Sequence, residues 1–245
     1  MSLDHLALLA DDLDAFVAAV ANGPATAEIA GCPGWTLADL GVHLGSVHRW
    51  AREAILTGAM PQLDPAADPA PTDLAGIAAW VRAGADRLLE ALHELDPDRP
   101  TWHPFPVEPK VAGIWRRRQA QEASVHRWDA QRAIGLSPSI EAEFAEDGVD
   151  EYWTVMLPRL CTRESLTAPA SVLAVEVTNT DRRWVIDGRS GTLQQAEDGV
   201  AAAAGLRGRA QDLLLRLWGR PVPDGSVTLT GDPTVAEAWL AMGGA

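Results

Sequence analysis

The chain has 245 residues, 47% of them hydrophobic and 22% charged, and its 20 Lys and Arg against 34 Asp and Glu leave a net charge of −14. That balance argues against a nucleic-acid partner and an anionic membrane surface, both of which need clustered basic side chains. No apolar run approaches the roughly 20 residues that cross a bilayer. The N-terminal stretch MSLDHLALLADDLDAF carries acids within its apolar pattern and no basic lead-in, so no signal peptide is read and a cytoplasmic protein is expected. Cys32 and Cys161 form no CxxC pair and read as two thiols of a reducing compartment.

The first half reads as helices. Over residues 3–21, Leu6, Leu9, Leu13, Phe16, Val17 and Val20 recur at helical spacing, and the NGP at 22–24 ends the run. After the Pro33–Gly34 turn, Thr36 with Asp39 three residues on is a variant capping box, and a second helix runs to about Thr57 with Leu37, Leu40, Leu44, Val47 and Ala51 as its core stripe. A Pro-rich connection at 58–73 leads to a third helix over about 73–94, and a fourth spans about 112–134. Four helices of this length predict a four-helix bundle over residues 1–138.

The pattern then changes. LSPSI at 136–140 reads as a linker, followed by a fifth helix at about 141–162 that bridges the halves. SVLAVEVTN from 171 alternates with period two, placing Leu173, Val175 and Val177 on one face, and RRWVI after the NTD turn completes a hairpin. AQDLLLRLWG is a short helix, SVTLTGD a strand, and PTVAEAWLAM a last helix with Pro233 in its first turn. The expectation is a two-domain α+β chain, with residues 139–245 forming a small α+β domain.

The fourth helix contains QEASVHRWDAQRA, in which Glu122 and His126 lie about 40° apart on one face, close enough to address one atom. Alone, such a pair is common on a solvated helix. His43 sits beside the core stripe of the second helix, where an ionisable ring needs a partner. His48 is about 140° further round, out of reach of a shared ion, and reads as surface or cleft rim. Asp39 is either the capping partner of Thr36 or an acceptor for the His43 ring. His43, Glu122 and His126 together would form a two-histidine, one-carboxylate set with an open position, which suits a catalytic metal ion. The spacing is not HExxH, and neither GxSxG, a P-loop nor a dinucleotide-binding glycine motif is present. Arg118, four residues before Glu122, flanks the set. Of the ten tryptophans, Trp35, Trp50, Trp115 and Trp128 fall beside these blocks, mostly as core with one available to wall a cleft.

CPGWTLADLGVHLGSVHRWA together with RRRQAQEASVHRWDAQRA resembles the mycothiol-dependent maleylpyruvate isomerase family of the DinB-like superfamily. LLLRLWGR and VTLTGDPTVAEAWL are similar to that family's C-terminal domain, so the resemblance covers nearly the whole chain. It implies a DinB-like metal-binding bundle followed by a sterol-carrier-like α+β domain. It also implies a divalent metal, usually zinc, on His43, Glu122 and His126, with Ni, Fe or Mn acceptable to the same donors. Arg220 matches the family's important C-terminal arginine; the plain alternative is an arginine answering the dipole at a helix end. Gln121 stands where many members have His.

The resemblance further implies mycothiol, the actinobacterial low-molecular-weight thiol, as cosubstrate. A metal-held thiolate would attack a small electrophile, either adding reversibly to an alkene and so isomerising it, or displacing a leaving group in S-transfer. Arg220 would hold the electrophile's carboxylate or enolate. The competing readings are a metal-dependent hydrolase that activates water and a non-catalytic DinB-like binding module. A monomer is expected.

Overall fold

The computed structural model describes residues 3–197 and 199–243. The chain divides into two compact units, one formed by residues 1–104 and 108–139, the other by 105–107 and 140–245.

The first unit is a bundle of four helices, α1 (His5–Asn22), α2 (Leu37–Thr57), α3 (Leu74–Glu94) and α4 (Ile114–Ala133). Their starts follow from local chemistry. Asp4 accepts from the Leu6 and Ala7 amides, Asp73 from the Gly76 amide, and Thr36 with Asp39 forms a full capping box that fixes where α2 begins. Asp39 therefore serves Thr36. Gly58 ends α2 in the left-handed region at φ 68°, as glycine does without a Cβ penalty.

The α1 stripe buries Leu9, Leu13, Phe16 and Val20, and α3 buries Ile77, Val81, Leu88 and Leu92. On α2 the stripe differs from the expectation in one respect. It runs Leu40, Leu44, His48, Ala51 and Ile55, with Val47 only partly covered. His48 is 0% exposed, not a surface or rim residue. The reason is register: four residues after Leu44 the core face falls on position 48.

α4 departs furthest from simple amphipathicity. It packs on α1 and α2, yet its buried residues include Arg118, Gln119, Gln121, Ser124, His126, Arg127 and Asp129. Burying that much polarity is costly unless each group is paired. Arg127 illustrates the pairing, donating to Asp12 on α1 at 2.8 Å, to Gln131 at 3.0 Å and to the Ser139 carbonyl at 3.0 Å. Arg116 donates to the Leu92 and Leu95 carbonyls at the end of α3, where a cation answers the helix dipole.

The second unit combines helices with a five-stranded sheet. The expected fifth helix is α5 (Ala142–Glu151), a π-helical turn at Tyr152–Met156, and α6 (Leu157–Glu164). The strands are β1 (Val172–Val177), β2 (Arg183–Asp187), β3 (Gln194–Gln195), β4 (Ala204–Gly208) and β5 (Val227–Gly231), in the order β3-β2-β1-β4-β5. β1 and β2 form the expected antiparallel hairpin, with Val175 opposite Trp184. β4 lies between β1 and β5, parallel to the first and antiparallel to the second. Neither β3 nor β4 was expected; β4 reads AGLRG, and its two glycines and short length hide it from a β-propensity reading. α7 (Ala210–Leu217) and α8 (Pro233–Leu240) complete the unit. The result is a helical bundle followed by a mixed α+β unit. Among the described residues, no helix is long and apolar enough to cross a membrane.

Candidate metal centre

α2 and α4 are antiparallel neighbours. Trp50 meets Trp115 with ring centroids 5.6 Å apart, and two turns away, in opposite directions along the two helices, His43 faces Glu122. His43 Nε2 lies 3.3 Å from Glu122 Oε1, and His126 Nε2 lies 3.5 Å from the same oxygen. The three ligating atoms all fall within 4.8 Å of one another. Four donors held about 2.0–2.2 Å from a zinc-type ion in a tetrahedron stand about 3.3–3.6 Å apart. The two contacts to Oε1 have that length, so this donor set could bind a metal ion with little movement.

Glu122 is the hub. Its other oxygen, Oε2, accepts from Arg118 Nη2 at 3.0 Å, and the arginine side chain is only 5% exposed. Burial alone would push the Glu122 carboxyl up. Hydrogen bonds from His126 and His43, with the nearby His126 and Arg118 charges, outweigh it and hold the group well below the ordinary carboxylate range. His126 is under the opposite pressure. Burial pulls its pKa down, but the hydrogen bonds to Asp129 and Glu122 raise it above the ordinary histidine value. The same two carboxylates that favour a proton on His126 would favour a cation in its place.

Asp129 completes the arrangement. Its Oδ2 lies 3.1 Å from His126 Nδ1, so Nδ1 keeps its hydrogen and Nε2 is the nitrogen left to ligate. The sequence reading passed over Asp129, although its place three residues after His126 on a helix was a usable signal. The ring of His43 is braced by Trp35, whose centroid lies 4.9 Å away, and by the His126 ring at 5.0 Å. With His43 and Glu122 still 33% and 21% exposed, the centre is open on one side to a water molecule or a ligand.

The sequence-predicted residues therefore divide. His43, Glu122 and His126 converge, and Arg118 joins them through Glu122. Asp39 and His48 ligate nothing here. Arg220 belongs to the second unit, is buried, and donates from Nη1 to the Trp218 carbonyl at 2.9 Å, just past the end of α7. Cys32 and Cys161 form no disulfide.

The family described as mycothiol maleylpyruvate isomerase N-terminal domain matches the chain over residues 6–131. No curated protein sequence matches it. Among solved structures, a mycothiol-dependent maleylpyruvate isomerase is similar in fold, with a TM-score of 0.65 and 12% identity over 93% of this chain and 92% of that one. A histidine-to-alanine mutant of such an isomerase gives a TM-score of 0.66 at the same identity and coverage. At that identity the likeness is one of fold.

Proposed function

Because the chain belongs to the mycothiol maleylpyruvate isomerase N-terminal domain family, we propose that it is a metal-dependent enzyme using a low-molecular-weight thiol, mycothiol, to isomerise or S-transfer to a small electrophile. The observation that carries this reading is the convergence of His43, Glu122 and His126 on one point with a side open to solvent. A divalent cation there, zinc being the best match to the donors, supplies the positive charge that lets a thiol with an ordinary pKa of about 8.5 stand as thiolate at neutral pH.

The protein's own residues do the rest. His43, Glu122 and His126 would hold the ion. Asp129 keeps the proton on His126 Nδ1 and so keeps Nε2 aimed inward. Arg118 occupies Glu122 Oε2, which leaves Oε1 as the ligating oxygen. Trp35 limits the tilt of the His43 ring and shields one flank. Arg220 is proposed, on its sequence pattern, as the cation for the electrophile's carboxylate or enolate.

The test has two stages. Protein purified without added metal is expected to carry about one divalent ion per chain, and His126→Ala to lack it. The loaded protein is then offered electrophiles with and without a thiol. Turnover that depends on the thiol supports the proposal. Turnover with water alone makes the protein a hydrolase, and a wild type that takes up no metal even on reconstitution overturns the catalytic reading.

A further inference from the structure

The first unit contains a cavity of about 510 Å³ on a different face of α2 from His43. Its walls come from α2, α3 and the connection between them. On α2 the lining positions Val42, Ser46, Arg49 and Glu53 recur every three or four residues, as do Trp80, Gly84 and Arg87 on α3, so each set is one helix face.

The cavity is shaped by two glycines. A Cβ on Gly45 would stand 2.2 Å from the Trp80 ring, and one on Gly84 would stand 2.4 Å from Arg49 Nη1. These gaps let Trp80 and Arg49 interleave between the helices. Arg49 is engaged at each of its three nitrogens: it lies over the Trp80 ring at 3.6 Å and donates to Asp68 Oδ2, the Gly45 carbonyl and the Trp80 carbonyl. Asp68 also takes the Trp80 Nε1 hydrogen at 2.9 Å, which pins the connection over the helix pair.

Two further arginines line the same space and are not spent. Arg52 has its Nε buried with no hydrogen-bond partner among the described residues. Arg87 uses only Nε, on the Ala83 carbonyl. Two acids complete the charged lining. Asp64 Oδ1 is engaged by the Ala66 amide, and Glu53 follows Arg52 directly, about 100° round the helix from it. Leu63, Pro65 and Ala67 supply an apolar wall. Neither arginine head forms a close ion pair among the described residues, Arg87 feeling Asp68 only through space, and such heads beside an apolar wall form a recognisable receptor. A guanidinium pairs with a carboxylate, and the wall takes an apolar body.

We propose that this cavity is a second small-molecule site, for an amphipathic monocarboxylate such as an aryl acid, with Arg52 and Arg87 holding the carboxylate. The site stands apart from the metal ligands, and the proposal does not rest on the reaction assigned to them.

The test uses 4-fluorobenzoate followed by ¹⁹F NMR on full-length, metal-depleted protein, so that coordination of the acid to an ion plays no part. Saturable binding is expected. The double variant Arg52→Gln/Arg87→Gln and the neutral analogue 4-fluorobenzamide should each weaken it about tenfold or more. Leu63→Asp, at an exposed wall position, should weaken it as well and serves if the double variant folds poorly by circular dichroism. The proposal is overturned if nothing saturates up to about 10 mM, a bound that even a modest per-atom affinity would beat for this ligand size. It is equally overturned if the folded arginine variant, or failing that Leu63→Asp, binds as the wild type does. Either result leaves the metal-dependent function untouched.

Discussion

Asp129 stands one helical turn beyond His126 and meets its Nδ1 at 3.1 Å, with the carboxylate side chain fully withdrawn from solvent. The pair sits within a single helix, so α4 carries two of the three candidate metal ligands and also the group that orients one of them. Replacing Asp129 with Asn removes the charge while keeping the shape. Metal affinity should fall about 10–100-fold, as it does when such supporting carboxylates are lost. Competition against a chromophoric chelator measures this, and an unchanged affinity would show that Asp129 serves packing only.

Arg118 and Glu122 form a largely buried ion pair at 3.0 Å. Arg118→Gln leaves the Glu122 charge poorly compensated, so the metal-free protein should lose about 3 kcal/mol of stability. A bound cation replaces the missing charge, so the metal-loaded variant should lose much less. Urea unfolding with and without metal tests this. Equal losses in the two states would mean that the arginine acts through its packing.

His48 shows how burial sets a pH dependence. Burial is the largest influence on it; the attraction of Glu122 opposes burial, while Arg49, His126 and His43 reinforce it, and the pKa is pushed down to about 3. The unfolded chain takes up this proton near 6.5, its ordinary value. Folding stability from this group is therefore complete above pH 6.5, falls as the pH drops, and levels off near 3. Neither ring nitrogen has a hydrogen-bond partner among the described residues, so an apolar side chain of similar size should be tolerated. Metal-free His48→Met should match the wild type at pH 7.5 and exceed it in unfolding midpoint at pH 5. A parallel acid response in both proteins would contradict the assignment.

Gly45 makes room for Trp80. Gly45→Ala places a methyl against the indole, an overpacking cost of about 1–3 kcal/mol set against the roughly 1 kcal/mol that alanine gains in a helix. The unfolding midpoint in urea should drop. A rise would mean that Trp80 shifts freely and that the interleaving with Arg49 is loose.

Much of this protein can be read along the chain because it depends on neighbours in sequence. Three of the four bundle helices, α1 to α3, begin at side chains that cap them locally, such as Thr36 with Asp39 and Asp73 with Gly76, and apolar spacing identifies their buried faces. The β1–β2 hairpin is legible for the same reason, since alternation and a turn signal suffice. The pairing of Glu122 with His126 is a property of helix geometry alone.

What the chain order leaves open is whatever depends on a partner distant in sequence. Periodicity placed His43 beside the α2 core, but only the packing of α2 against α4 brings it to Glu122, 79 positions away. The same packing buries the polar length of α4, which reads as a solvated helix by hydropathy. The charged groups among them are tolerated in the interior because Asp12, Glu122, Gln131 and Asp129 answer Arg127, Arg118 and His126 there, while Gln119 Oε1 is buried with no hydrogen-bond partner among the described residues. β4 was missed on similar grounds, since a glycine-rich pentapeptide becomes a strand only once β1 and β5 offer hydrogen bonds on either side. Sequence by itself determined the helices, the hairpin and the donor types. Tertiary structure decided which donors meet and which polar groups go inside, because burying a charge is affordable only where its partner is already in place.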